Sequence, residues 1–175
     1  AYIIGLTGGI GSGKTTLVNY MESLGIPVFI ADEEAKKAMQ SPHVLEEVKT
    51  SFGNSIFENG QLNRQQLASI VFSNPDKLKE LNSIIHPEVK RLFAIWLDQH
   101  KTVPFVVYEA AILFESGSYQ NCDYIITVTA PLEDRITRVM QRDNCSREQV
   151  LQRINAQWTD EERAAKSNFV IDNTT

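Results

Sequence analysis

The sequence predicts a doubly wound α/β fold on a parallel sheet of about five strands, interrupted by an inserted helical subdomain. Three observations carry that expectation. Five short apolar runs do not alternate with polar residues, as in strands covered on both faces. The stretches between most of them are long enough for crossover helices. From Glu33 to Gln99 the chain shows repeated helix starts and no convincing strand.

Taken in order, Tyr2–Thr7 is an apolar run ending in glycines, and Leu17, Val18, Met21 and Leu24 then recur at helical spacing. Gly25 closes that helix before a second run, Ile26–Ala31. Val103–Tyr108, Tyr124–Val128 and Phe169–Ile171 supply the remaining three strands. In the insertion, Asn63 with Gln66 three residues on, Asn74 before Pro75, and His86 before Pro87 read as helix starts. The expected division is a core of residues 1–32 and 100–175 with an insertion of residues 33–99. Insertions into such sheets usually hold a second substrate, so specificity is expected there.

Composition bounds the function. The 175 residues, 42% apolar and 22% charged, suit one globular core rather than a disordered tail or coiled coil. The apolar runs fall far short of the roughly 18 residues needed to cross a bilayer, and no basic-then-apolar leader opens the chain. A cytoplasmic location without a membrane partner is therefore expected. A net charge of −5 argues against general nucleic-acid binding. Cys122 and Cys145 lack metal-ligand spacing and read as reduced thiols. Between Leu132 and Trp158 every basic residue is arginine: Arg135, Arg138, Arg142, Arg147 and Arg153. On a helix the first three share a face, with Ile136, Val139 and Met140 toward the core. That face is either an anion site or a solvated surface.

Gly8-Gly9-Ile10-Gly11-Ser12-Gly13-Lys14-Thr15 satisfies the Walker A pattern, between a predicted strand and a predicted helix. Glycines let the backbone wrap a phosphate and turn successive amides inward, and the helix N-terminus adds its positive dipole end. Gly9, Gly11, Ser12, Gly13, Lys14, Thr15 and Thr16 are thus expected to bind ATP. Lys14 would reach the β- and γ-phosphates and the Thr15 hydroxyl would ligate Mg²⁺. Asp32, after the second strand, is either a base for an attacking hydroxyl or a helix N-cap. Glu109, ending the third strand, is either an outer group for Mg²⁺ and its waters or a helix cap.

Several further blocks stand in order along nearly the whole chain: Gly25-Ile26-Pro27-Val28 leading to Asp32, Gly60-Gln61-Leu62-Asn63-Arg64, Val71-Phe72, His86-Pro87, Ile112-Leu113-Phe114-Glu115, Gln141-Arg142-Asp143 and Val170-Ile171-Asp172-Asn173. With the glycine motif they resemble the dephospho-CoA kinase family, P-loop enzymes that transfer the ATP γ-phosphate to the ribose 3′-hydroxyl of dephospho-CoA. The resemblance implies that Asp32 is the catalytic base and that the insertion cradles dephospho-CoA. It further implies a lid near 135–158, with Arg138 and Arg142 over the ATP phosphates, Thr7 near the acceptor, and a substrate-side His86. His86 is equally explained as a local cap. Asp172 and Asn173 would border the adenine or merely end the last strand. A monomer or weak homo-oligomer is expected. The family pattern usually has aspartate where this chain has Ile30 and Glu109, proline where it has Ala111, and a further helix after the last strand.

Rival readings are a P-loop kinase acting on a nucleoside monophosphate or shikimate, a nucleotide switch, and a scaffold. Against the switch stands the lack of an Asn-Lys-x-Asp motif; against the scaffold stands the intact Lys14-Thr15 pair.

Overall fold

The computed structural model describes residues 1–173. In chain order the elements are β1 (Tyr2–Gly8), α1 (Lys14–Ser23), β2 (Val28–Ile30), α2 (Ala31–Ala38), α3 (Pro42–Phe52), β3 (Phe57–Glu58), β4 (Gln61–Leu62) and α4 (Arg64–Ser73). There follow α5 (Pro75–Asp98), β5 (Phe105–Glu109), β6 (Tyr124–Thr129), α6 (Leu132–Asp143), α7 (Arg147–Asn155), α8 (Asp160–Ala165) and β7 (Phe169–Asp172). They fall into two compact units, Ala1–Ile30 with Gln99–Thr175, and Ala31–Asp98.

The first unit is a five-stranded parallel sheet in the order β2-β5-β1-β6-β7. β1 is central, and its Leu6 is fully buried with Val18, Val107 and Val128 in one apolar cluster. Ile30 packs against that cluster, which gives an apolar side chain work at this position. Close packing also explains Gly5, because a Cβ there would lie 2.8 Å from both the Cys122 sulfur and the Leu113 side chain. Burial, reinforced by the neighbouring Asp123 carboxylate, pushes the Cys122 thiol up to about 11.

The second unit is helical, with α2, α3 and α4 packed on α5. Leu81, Ile85, Val89 and Phe93 recur every fourth residue on α5 and are buried. Glu88 is buried beside them and accepts from Arg91 and pairs with His43, which together hold its carboxyl below the usual range. The Asn63 side chain caps α4 by accepting from the Gln66 amide, and Asn74 accepts from Asp76 and Lys77 at the start of α5.

Four details differ from the sequence expectation. His86-Pro87 is no helix start: α5 runs through Pro87, whose missing N–H is outweighed by the buried apolar stripe around it. The insertion contains a small antiparallel hairpin, β3 with β4, turned by Asn59 and Gly60 at φ 52° and 78°. Positive φ at both positions is the two-residue turn that an Asn-Gly pair favours, and strands of two residues have no alternation to read. The second strand begins at Val28, and Ala31 already belongs to a helix. On α6, Arg135 joins Ile136 and Val139 in the interior while Met140 faces solvent; a bonded guanidinium displaces the thioether from the inner face.

Leu6→Ala should cost about 3 kcal/mol in urea unfolding, whereas Ile95→Ala, on an exposed stretch of α5, should stay within about 0.5 kcal/mol. Iodoacetamide should modify Cys122 slowly at pH 8, because a thiol titrating near 11 is about one part in a thousand thiolate there. The rate should climb steadily as pH is raised; a plateau below pH 9 would contradict the buried setting.

Candidate active site

The glycine loop leaves the carboxyl end of the central strand and enters α1, the place where parallel sheets gather ligands. Gly11 and Gly13 adopt φ of 80° and 94°, a region that L side chains rarely enter. Backbone also crowds the loop from outside. A Cβ on Gly8 would come within 2.6 Å of the Val128 carbonyl oxygen, and one on Gly11 within 2.5 Å of the Arg135 carbonyl oxygen.

Four loop carbonyls are held by side chains. The Lys14 amine donates to Gly8 at 3.0 Å, Arg135 Nε to Ile10 at 3.0 Å, Arg138 to Gly11 at 3.1 Å, and the Asn173 amide to Ser12 at 3.0 Å. Arg138 also donates to the Asn173 carbonyl, which joins two of these donors. A trans peptide points its C=O and the next residue's N–H in opposite directions. Holding the carbonyls of Ile10 and Ser12 from one side therefore turns the amides of Gly11 and Gly13 to the other. Among the described residues neither amide has an acceptor. Inward-turned free amides at a helix N-terminus form an anion cradle. The Ile10 amide instead donates to the Gln157 side chain at 3.1 Å.

Lys14 Nζ lies 3.5 Å from the Glu109 carboxylate, and both side chains are largely buried. No helix follows Glu109 directly, so it caps none. Thr15 and Thr16 are exposed in the first turn of α1, and Ser12 is buried. Thr7, expected near the acceptor, lies in β1 just before the loop. It is fully buried and donates to the Ala111 carbonyl at 3.3 Å, joining β1 to the segment after β5.

The arginines of the expected lid segment have separate partners in this structure. Arg138 is engaged with the loop backbone, and both nitrogens of the Arg142 fork donate to the adjacent Asp143 carboxylate, which takes Arg153 as well. The two guanidiniums hold Asp143 far below the usual carboxylate range. None of the Arg142 bonds reaches the loop. Asn173 sits against the loop itself, at the end of β7, where Asp172 is the last strand residue.

In the helical unit, Asp32 stands inside the first turn of α2 rather than at an N-cap, and its carboxylate is exposed without a hydrogen bond among the described residues. His86 is exposed on α5, although the protein crowding its ring lowers its pKa. A cavity of about 270 Å³ opens in this unit, walled by Met39, Leu67, Val71, Leu81 and Ile85, with Lys36 and Arg64 also lining it.

The dephospho-CoA kinase family model matches residues 2–175. The chain belongs to that family. A dephospho-CoA kinase of Bacteroides fragilis is 42% identical over 171 residues, covering 97% of this chain and 83% of the relative. The crystal structure of TT1252 from Thermus thermophilus superposes with a TM-score of 0.91 at 41% identity, over 99% of this chain and 89% of that one. The dephospho-CoA kinase of Campylobacter jejuni gives 0.69 at 30% identity, over 99% and 88%.

Within this dephospho-CoA kinase family member, sequence reasoning missed Gln157, Asp160 and Arg163. Gln157 lies between helices and meets Ile10 across 147 residues. Arg163 is fully buried and donates to Asp160; it lies just beyond the arginine row that drew attention. Nothing local in the sequence marks any of the three.

Gly11→Ala should lower stability by about 1–3 kcal/mol, from the positive φ and the overlap with the Arg135 carbonyl. Thermal melting checks it; a melting temperature equal to the parent's would mean that the loop is not held as described.

Proposed function

We propose that the chain transfers the γ-phosphate of ATP to the ribose 3′-hydroxyl of dephospho-CoA. The observation that carries this reading is the glycine loop with two free inward amides beside Lys14, in a chain matched by the family over residues 2–175. Phosphoryl transfer needs positioning and charge stabilisation more than covalent chemistry, and those are what amides and an ammonium provide. Lys14, a compact cation on a flexible stem, moves with the transferring phosphoryl group. The family's named activity favours dephospho-CoA over a nucleoside monophosphate or shikimate as acceptor.

Asp32 accepts the proton of the attacking hydroxyl. An exposed carboxylate with no hydrogen bond among the described residues suits a base better than a cap does. The helical unit takes the acceptor: its cavity has apolar walls for an aliphatic arm, and Lys36 and Arg64 offer charge to phosphates. His86, on the helix that lines this cavity, is assigned to the same substrate. Asn173 and Asp172 border the base of ATP. A cytoplasmic setting, where ATP is maintained, follows from the same reading; no described helix is long and apolar enough to cross a membrane.

The donors at the loop fit Mg²⁺. They are oxygens, the exposed Thr15 hydroxyl and the Glu109 carboxylate, and Mg²⁺ characteristically takes one or two protein oxygens with water and substrate phosphates. Thr15 would hold the ion directly and Glu109 through its waters. When bound, the ion neutralises phosphate charge. Glu109 also orients Lys14 before any substrate arrives.

Radiolabelled ATP offered with dephospho-CoA, a nucleoside monophosphate and shikimate tests the assignment: label should pass only to dephospho-CoA, and none above background would remove it. Lys14→Ala should reduce turnover at least about 100-fold. Asp32→Asn should lower kcat by about 10²–10⁴ while ATP affinity stays within about twofold. Equal collapse of ATP affinity in Asp32→Asn would make that residue structural or metal-linked.

A further inference from the structure

The side-chain atoms that are buried and lack a hydrogen-bond partner among the described residues are Ser12 Oγ, Arg135 Nη2, Arg163 Nε and Arg163 Nη2. All belong to side chains that close on the same two loop residues. A Cβ on Gly9 would collide with Arg135 Nη2 and lie 3.1 Å from Arg163 Nη2, and a Cβ on Gly8 would lie 2.6 Å from Ser12 Oγ. Arg135 and Arg163 are 4% and 0% exposed, and both donate to the single carboxylate of Asp160, at 3.4 and 3.0 Å. Asp160 stands in the first turn of α8, where the helix dipole already favours a negative charge.

Two guanidiniums hydrogen-bonded to one carboxylate, with Glu161 acting on Arg135 only through space, concentrate positive charge in a water-excluded place, an arrangement that a buried ion pair normally avoids. Across the loop, one peptide layer away, the free amides of Gly11 and Gly13 face the opposite direction. An anion held there gains from the guanidinium charge, because water is excluded on the side from which that charge acts. The same guanidinium that supplies half of the pair fixes the Ile10 carbonyl through Nε. Geometry and charge thus arrive through one side chain.

We propose that Arg135 and Arg163, bridged by Asp160, are positioning residues for the nucleotide: from behind Gly9 and Ile10 they fix the turn of the glycine loop and place buried positive charge near the phosphates. The inference rests on the ATP-binding reading of the loop but is independent of the acceptor. It assigns Arg135 to binding rather than to a closing lid, and it explains why Gly9 carries no side chain.

The test compares the parent, Arg135→Met and Arg135→Lys. Calorimetry gives the Kd for ATP alone, steady-state kinetics with Mg²⁺ give KM for ATP and for dephospho-CoA, and circular dichroism with thermal melting checks the fold. Arg135→Met keeps the buried stem and removes both the charge and the fork. It should raise Kd and KM for ATP about tenfold while KM for dephospho-CoA stays within about twofold. Arg135→Lys restores charge without the Nε bond and should fall between, at least about threefold above the parent. It decides alone if the methionine variant does not fold. ATP Kd within about twofold of the parent in folded variants, even with reduced kcat, would overturn the proposal and leave the cluster as packing only. A parent that binds ATP with this variant pattern yet fails to phosphorylate dephospho-CoA would support the positioning role and sink the acceptor assignment instead.

Discussion

Every functional feature of the sheet unit depends on the orientation of a few peptide planes between Gly8 and Lys14. A glycine-rich segment has no preference strong enough to hold three successive peptides in one attitude, since glycine loses more conformational freedom on ordering than any other residue. Side-chain donors from Arg135, Arg138 and Asn173 provide that attitude by taking the carbonyls of Ile10, Gly11 and Ser12. Because the peptide is planar and trans, fixing a carbonyl fixes the next amide. The anion cradle is therefore formed at the back, by groups that act through the loop carbonyls rather than through contact with the phosphates.

The donors come from distant parts of the chain, and the sheet topology brings them together. β1 lies between β5 and β6, and β7 extends the sheet beyond β6, so α6 and the residue after β7 both reach the loop that leaves β1. Each bond is modest by itself, about 1 kcal/mol net for an ordinary one and more when an ion donates. Several of them acting on adjacent peptides restrict the loop together. The buried Lys14 and Glu109 pair works on the opposite problem, holding a mobile ammonium near the mouth while leaving it free to exchange a carboxylate and one carbonyl for phosphate oxygens.

What the sequence made legible was whatever depends on neighbours along the chain. The Walker spacing, the helix caps at Asn63 and Asn74, and the five apolar runs are local patterns, and each corresponds to an element in the structure. The errors share a cause as well. His86-Pro87 has the look of a helix start, but the buried stripe from Leu81 to Phe93 carries α5 straight through it. Strands of two residues around Asn59-Gly60 leave no periodicity, although the turn dipeptide itself was there to be read. The arginine row read as either an anion site or a solvated surface, and its members divide: Arg135 and Arg138 hold the loop, while Arg142 holds Asp143. No spacing rule separates these fates, because partners 125 or more residues away decide the first two. Gln157 was illegible for the same reason, its partner Ile10 lying 147 residues away.

If carbonyl capture from behind is what makes the cradle, the amides of Gly11 and Gly13 must meet phosphate oxygens in solution. Proton–nitrogen spectra of the ¹⁵N-labelled chain titrated with ATP read those two amides directly. The account predicts that both move downfield, as amides do on gaining a charged acceptor, and that they saturate with the affinity measured calorimetrically. Saturable ATP binding that leaves both glycine amides unshifted would contradict it.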